Sequence, residues 1–231
     1  MNIDLNCDMG ELDDAELEDA AHEAALMAYI TSANIACGGH AGDARTMERT
    51  VRLAIARGVR IGAHPGYPDR ENFGRVEILM TPKAIEDEVY AQVVRLDEIV
   101  LSFGSTMFHV KQHGALYNVA VRNREVARAI ALGAARWNPR TTLFGLAGSP
   151  MLDVWRAMGM AVAGEAFADR RYEPDGTLRS RQFPDALITD PREAAAQALR
   201  FVRQGLAETI CVHGDTPGSV EILKSCRQAL T

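Results

Sequence analysis

The feature that most constrains the fold of this chain is a regular alternation of short apolar segments with longer segments of helical spacing. Most of the short segments are nearly continuous in hydrophobic residues, which is typical of parallel strands covered on both faces. Several longer segments begin with a capping side chain before proline, at Thr81, Ser149 and Asp190. The strand candidates are residues 2–7, 32–37, 59–63, 106–111, 142–146, 160–164 and 208–212.

The alternation continues along the chain without a linker, an internal repeat or a break in composition. It therefore predicts an α/β fold with a single domain over residues 1–231. We expect an irregular seven-stranded (β/α) barrel, and a doubly wound open sheet is the alternative. At 231 residues, the chain is long enough to bury one good core.

Composition excludes several classes of partner. The formal net charge is −6, whereas a nucleic-acid scaffold needs a concentrated basic surface, so we expect no nucleic acid. No stretch is apolar enough to cross a bilayer, and the N-terminus carries carboxylates where a secretory peptide needs a basic start. The four cysteines have no Cys-x-x-Cys spacing. Because such cysteines are typical of reduced thiols, we expect a cytoplasmic protein.

Reactive side chains follow most of the predicted strands. In a parallel barrel every strand-to-helix loop emerges at the same end, so these side chains are expected to meet at one opening. This convergence is a stronger indication of a site than any single motif. The residues are Asp8 and Glu11, His40 and Asp43, His64, Lys111 and His113, Glu165 and Asp169, and His213 and Asp215.

Taken one at a time, these residues also have plain structural explanations. Asp43 and Asp215 can cap the helices that follow them, and this explanation is about as good as a catalytic role. Glu165 can form a surface ion pair with the neighbouring arginines. His22 falls on the first helix and His109 inside a strand pattern, so we interpret both as structural.

The set supports two kinds of chemistry. Asp8, His40 and His64 could bind a divalent metal such as zinc, with His113 as a further ligand or a base. Alternatively, the same residues act without metal as general acids and bases, and Lys111 stabilises an oxyanion or a phosphate. The chain has no Gly-x-x-x-x-Gly-Lys-Ser/Thr loop and no Gly-x-Ser-x-Gly elbow. A P-loop nucleotide site and a covalent serine hydrolase are therefore disfavoured.

Several sequence blocks resemble the LamB/YcsF family. They include DLNCDMGE at 4–11, GAHPGYPD at 62–69, HGALYN at 113–118 and VHGDTPG at 212–218. Further blocks at 32–38, 40–43, 73–75 and 167–172 lie between them in the same order. The resemblance therefore covers essentially the whole chain, and together the blocks are very specific.

The resemblance implies a hydrolase acting on a cyclic amide, which opens the 5-oxoproline lactam to L-glutamate at the expense of ATP. It implies partner subunits B and C, with ATP bound somewhere in that complex. It also implies a barrel of the glycoside hydrolase/deacetylase type. Deacetylases of that type bind a metal through an Asp-His-His set, and fold analogy places such a set on Asp8, His40 and His64.

The implied reaction gives each candidate residue a role. Asp8 or His113 would serve as the base for water, Lys111 would stabilise developing negative charge, and Arg170 or Arg171 would bind the substrate carboxylate. The predicted catalytic residues are Asp8, Glu11, Lys111, His113 and Asp215. The predicted substrate-binding residues are Asn6, Asp43, Tyr117, Asn118, Arg170, Arg171 and His213.

The chain departs from the family pattern at several points. The segment after Glu11 is short at residues 12–14, Gly39 stands where phenylalanine is usual, and Gln112 stands where proline is usual. We expect a more open mouth in consequence. Two other functions stay open: a metal-dependent deacetylase or amidohydrolase acting on a carbohydrate or another small amide, and a non-catalytic substrate-binding subunit.

Overall fold

The structure, a computed structural model, describes residues 3–11 and 17–231, without the side chains of residues 17–19. Its described part contains seven parallel strands and the helices that connect them. The strands are β1 (Asp4–Met9), β2 (Ser32–Ala36), β3 (Arg60–His64), β4 (Met107–Lys111), β5 (Thr142–Leu146), β6 (Ala161–Phe167) and β7 (Thr209–Cys211). The helices are α1 (Leu17–Met27), α2 (Ala44–Arg57), α3 (Pro82–Ser102), α4 (Gly114–Arg122), α5 (Arg124–Trp137), α6 (Pro150–Ala157), α7 (Pro191–Arg203) and α8 (Ser219–Leu230).

The strands form a closed barrel in chain order. β1 pairs with β2, where Asn6 lies opposite Ser32, and also with β7, where Asp4 lies opposite Thr209. This second pairing closes the sheet, so the predicted barrel is confirmed and the doubly wound alternative is wrong. All neighbouring strands run parallel, and their carboxyl ends therefore open at one end of the barrel, here called the mouth.

The interior of the barrel is more polar than the apolar strand patterns predict. Along β1, Asp4, Asn6 and Asp8 face the interior, whereas the buried residues between them join the hydrophobic core under the helices. The contact between Asp8 and Lys111 establishes this orientation, because β1 and β4 lie on different sides of the barrel. The barrel therefore carries polar groups down its axis and buries its apolar surface outside.

Most predicted helix starts are confirmed. Thr81 and Asp190 accept hydrogen bonds from backbone N–H groups in the first turns of α3 and α7. The predicted cap at Ser149 is wrong, because its hydroxyl donates to the carbonyl of Leu146 instead. Residues 114–137 form two successive helices, α4 and α5, that the alternation alone did not predict.

Two long segments without regular strands or helices border the mouth. Residues 65–81 follow β3, and residues 168–190 follow β6, where isolated bridges join Arg170 to Leu187 and Tyr172 to Leu178. The short segment predicted at residues 12–14 lies outside the described residues. Across the described part of the chain, every helix is too short or too polar to span a bilayer.

Candidate active site

The strand ends surround a cleft of about 800 Å³ at the mouth of the barrel. A smaller cavity of about 250 Å³ shares Asp8, Glu11 and Arg75 with it. The predicted convergence of strand-end residues is therefore observed. Of the predicted site residues, those that line the larger cleft are Asp8, Glu11, His64, Lys111, His113, Tyr117, Asn118, Arg170 and His213.

Lys111 ends β4 and lies at the centre of the polar floor. Its ammonium nitrogen Nζ donates to Asp8 Oδ1 at 2.7 Å and contacts Glu165 Oε1 at 3.2 Å and Cys211 Sγ at 3.1 Å. Burial alone would lower the pKa of Lys111, but these neighbours raise it well above its ordinary value. Lys111 is therefore a permanent cation that holds two carboxylates, and it cannot serve as a base.

Asp8 lies within β1, one position before its last residue, rather than after the strand as predicted. Its Oδ1 accepts from Lys111 and, at 2.8 Å, from Asn34 Nδ2, while Oδ2 lies 3.4 Å from His64 Nε2. Burial alone would raise the pKa of Asp8, but the neighbouring His64 and the Lys111 ammonium hold it well below its ordinary value. Asp8 is thus ionised, with one oxygen directed toward the histidines.

Three histidines gather around Glu11 beside Asp8. Glu11 Oε1 lies 2.9 Å from His40 Nε2, 3.0 Å from His113 Nδ1 and 3.6 Å from His64 Nε2. The rings of His40 and His113 stack with centroids 3.6 Å apart. Burial lowers the pKa of His113, and burial together with His113 lowers the pKa of His40 to about 3. His40 and His113 are thus neutral imidazoles beside a carboxylate, Glu11, whose pKa lies well below its ordinary value.

The segment after β3 fixes this histidine cluster with strained backbone. Phe73 has a φ of +54°, which is rare for a bulky residue, and its carbonyl accepts a hydrogen bond from His113 Nε2 at 2.9 Å. At Gly74, a Cβ atom would lie 2.7 Å from His40 Cβ, so only glycine fits there. This segment therefore packs too tightly on His40 and His113 for either ring to turn freely.

Asn34 and Cys211, two buried side chains of the floor, were not among the predicted site residues, and Glu165 was predicted only as one of the converging strand-end residues. Glu165 is fully buried in β6, contacts Lys111 and accepts from the Tyr117 hydroxyl at 2.9 Å, so the alternative explanation as a surface ion pair is wrong. Cys211 contacts Lys111, and burial with nearby Asp8 holds the pKa of its thiol well above its ordinary value. Asn34 joins Asp8 to Asn6 through its amide. Asn34 and Cys211 could have been found from the alternation of side chains along each strand, since every second residue faces the inside of the barrel.

His213 follows β7 and forms a dyad with Asp169. Its Nδ1 lies 3.0 Å from Asp169 Oδ2, and its ring stacks on Phe167 with centroids 5.1 Å apart. Asp169 also accepts from the Thr216 hydroxyl and is fully buried. An Nδ1–H directed to a carboxylate leaves Nε2 as the acceptor, which is the orientation required of a general base.

Arginines form one wall of the cleft. Arg75, Arg122, Arg179 and Arg181 are each paired with a carboxylate. Arg170 is buried and donates to the carbonyl of Arg179, but its Nε has no partner among the described residues. Burial, reinforced by nearby Arg181, lowers the pKa of Arg170 to about 10, still high enough to keep it charged.

Four predicted site residues are placed differently from expectation. Asn6 is fully buried below the floor and donates to Thr209. Asp43 is exposed and caps α2, and Arg171 pairs with Glu193 on the surface, so neither lines the cleft. Asp215 is paired with Arg75 and Arg181 and lines only the smaller cavity, where its role is to hold those arginines.

Two departures from the family pattern, Gly39 and Gln112, lie among the described residues. A Cβ atom at Gly39 would lie 2.5 Å from the amide of Gln92, so the Gln92 side chain occupies the space beside Gly39. Gln112 lines the cleft and is buried, and its amide nitrogen and oxygen have no partner among the described residues. Its amide is therefore available to a polar ligand.

Comparison with known proteins supports the resemblance seen in the motifs. The profile of the LamB/YcsF family matches residues 3–231. The chain belongs to the LamB/YcsF family. Among relatives, it is 46% identical over 243 residues to the 5-oxoprolinase A subunit of Chloroflexus aggregans, covering 100% of this chain and 95% of that protein. The 5-oxoprolinase A subunit of Bordetella pertussis is 44% identical over 240 residues, covering 99% of this chain and 94% of that protein.

A solved structure agrees with this LamB/YcsF assignment. The lactam utilization protein of Thermus thermophilus superimposes with a TM-score of 0.91 at 39% identity, covering 100% of this chain and 96% of that one. A putative cellobiose-phosphate cleavage protein of Enterococcus faecalis gives a TM-score of 0.58 at 14% identity and shares the fold alone. The barrel is thus common to proteins of different names, whereas the match at 39% identity is to a lactam utilization protein.

Proposed function

We propose that this chain is the lactam-opening subunit of an ATP-dependent 5-oxoprolinase that converts 5-oxoproline to L-glutamate with partner subunits B and C. The relatives that are 5-oxoprolinase A subunits and the lactam utilization protein support this proposal. The observation that carries it is the cleft itself, where ionised Asp8 lies beside the histidine cluster and faces an arginine wall with one unpaired member.

The chemistry divides into steps that the cleft residues can assist. Transfer of the γ-phosphoryl group of ATP to the lactam oxygen leaves ADP and makes the ring carbon electrophilic. Water then adds to that carbon, the ring C–N bond breaks, and the nitrogen takes a proton. A second water releases inorganic phosphate and leaves L-glutamate. In this proposal ATP binds within the complex that the chain forms with subunits B and C.

Each assisting group has a structural reason for its role. Asp8 Oδ2 accepts the proton of the attacking water, because Oδ1 is held by Lys111 and Asn34. His213 Nε2, held as an acceptor by the contact of Nδ1 with Asp169, takes the hydroxyl proton of the tetrahedral adduct and passes it to the leaving nitrogen. Arg170 binds the substrate carboxylate, because its Nε has no hydrogen-bond partner among the described residues and no carboxylate there lies within ion-pair distance of it. Tyr117 and Asn118 line the wall that contacts the ring.

The test is release of glutamate from 5-oxoproline and ATP by the purified chain, with and without partner subunits B and C. We expect substantial glutamate release only when all three subunits and ATP are present, with ADP and phosphate formed in equal amounts. Turnover without ATP would contradict the proposal, as would a complete complex that hydrolyses ATP but leaves 5-oxoproline intact.

A further inference from the structure

In the histidine cluster at the mouth, two ring nitrogens face each other at hydrogen-bond distance. His113 Nδ1 and His64 Nε2 lie 3.0 Å apart. The other nitrogen of each ring contacts a backbone carbonyl: His113 Nε2 lies 2.9 Å from the oxygen of Phe73, and His64 Nδ1 lies 2.8 Å from the oxygen of Lys111. Since a carbonyl oxygen can only accept, those other nitrogens carry the protons.

Both facing nitrogens are consequently lone-pair donors. Two lone pairs at this distance repel each other unless a proton or a metal ion lies between them. Glu11 adds a carboxylate oxygen 3.0 Å from His113 Nδ1 and 3.6 Å from His64 Nε2. All these groups are buried or nearly so. Burial makes facing lone pairs and a carboxylate costly when no proton or metal ion lies between them.

The spacing of the three donor atoms matches the coordination shell of a small divalent ion. Ligands at about 2.1 Å from zinc lie about 3.4 Å apart in a tetrahedron and about 3.0 Å apart at right angles. The three observed separations, 3.0, 3.0 and 3.6 Å, fall in and near this range. The two backbone carbonyls fix both ring orientations, as outer-shell hydrogen bonds do around bound metals.

We propose that Glu11, His64 and His113 bind a divalent transition-metal ion such as Zn²⁺. Two imidazoles and one carboxylate form a common set for a catalytic site that keeps a position open to water. His40 Nδ1 has no partner among the described residues, so its Nε2 carries the proton and donates to Glu11 at 2.9 Å. His40 is thus a positioning residue for the carboxylate.

This assignment differs from the set that fold analogy suggests. Asp8 Oδ1 is already held by Lys111 and Asn34, and its Oδ2 lies 3.4 Å from His64 Nε2. Asp8 therefore borders the open position and is left available to water. The inference depends only on the geometry of the cluster and holds whichever amide is the substrate.

The test is titration of the metal-free full-length chain with Co²⁺, followed by its visible absorption, with Zn²⁺ content measured separately after dialysis. We expect one ion per chain. Glu11→Gln and His113→Gln should weaken binding at least about 100-fold, because each removes a ligand. Asp8→Asn should still bind one ion, and His22→Gln, which changes a histidine outside the cluster, should match the wild type.

Nitrogen NMR of the wild-type imidazoles provides a second test that needs no variant to fold. Zn²⁺ should shift Nδ1 of His113 and Nε2 of His64 and leave His109 unchanged. Absence of saturable binding by the folded wild type would overturn the proposal, as would full binding by a folded His113→Gln. Because neither readout uses turnover, a chain that binds the ion but releases no glutamate would count against the proposed function alone.

Discussion

Single residues in the cleft differ mainly in whether their charge is already paired. Lys111 is held by Asp8 and Glu165, and Asp215 is held by two arginines. Arg170 has no carboxylate partner among the described residues, although it is as buried as a core side chain. Asp169 and Asp215 act on it only from a distance, so a ligand carboxylate that accepts from its unsatisfied Nε can bind tightly there.

Arg170→Gln should therefore raise the KM for 5-oxoproline more than it lowers kcat. Losing a charged hydrogen bond of about 1.5–3 kcal/mol corresponds to a rise in KM of roughly 10- to 100-fold. The matched control is Arg171→Gln, since Arg171 pairs with Glu193 at the surface and does not line the cleft. Steady-state kinetics of the assembled complex measures both. An equal effect of the two variants would contradict this role for Arg170.

Residue roles were predictable where a reactive side chain lies at or just after a strand end, as for Lys111 and His213. The place of Asn34 was not predictable, because it lies inside β2, and which residues of a strand face inward depends on where the strand begins. Glu165 was predicted at a strand end, but its contact with Lys111 was not. Arg171 was misplaced for a related reason. Adjacent residues on an extended segment point in opposite directions, so only Arg170 faces the cleft.

At the scale of elements, the barrel closes where β1 pairs with β7. Asp4 accepts hydrogen bonds from Thr31 and Ser32 on one side and from Thr209 of β7 on the other. Burial alone would raise the pKa of Asp4, but these hydrogen bonds, together with Arg60, lower it below its ordinary value. One carboxylate thus joins the two ends of the sheet at the end opposite the mouth.

Asp4→Asn should lower the free energy of unfolding by about 1–3 kcal/mol at neutral pH, because the amide replaces an acceptor that several hydroxyls share. Since the folded-state pKa of Asp4 is depressed, its contribution is complete above the unfolded-state value of about 3.9 and disappears as pH falls further. The difference in the free energy of unfolding between Asp4→Asn and the wild type should therefore become smaller at acidic pH. Urea unfolding at several pH values measures it, with exposed Asp153→Asn as the control. A difference in the free energy of unfolding that does not change with pH would contradict this explanation.

Most elements were predictable because apolar periodicity and proline-preceded caps are local signals. The two helices α4 and α5 were not predicted, since no strand candidate separates them and their buried positions are dense in small apolar residues. The end of β1 was placed two residues too early, at residue 7 rather than at Met9. Polar residues at Asp4, Asn6 and Asp8 do not resemble a buried strand until the polar interior of the barrel is known.

At the scale of the whole molecule, closure of the barrel assembles the site. Asp8 and Lys111 are 103 residues apart in sequence and form an ion pair of 2.7 Å because β1 and β4 end at the same mouth. His113 and Glu11 meet in the same way. Convergence at the mouth was predictable from topology alone, but the pairing of individual side chains was not, because it depends on strand register and tilt.

The central claim is that this mouth opens a lactam with Asp8 as the acceptor of the water proton. The most direct measurement is the initial rate of glutamate release by the complex containing wild type, Asp8→Asn or Asp43→Asn, each checked for folding by circular dichroism. We predict a fall of at least about 100-fold for Asp8→Asn, as for loss of a general base. Asp43→Asn, which makes the same chemical change at an exposed helix cap, should retain the wild-type rate. A folded Asp8→Asn variant that releases glutamate at the wild-type rate would contradict the claim.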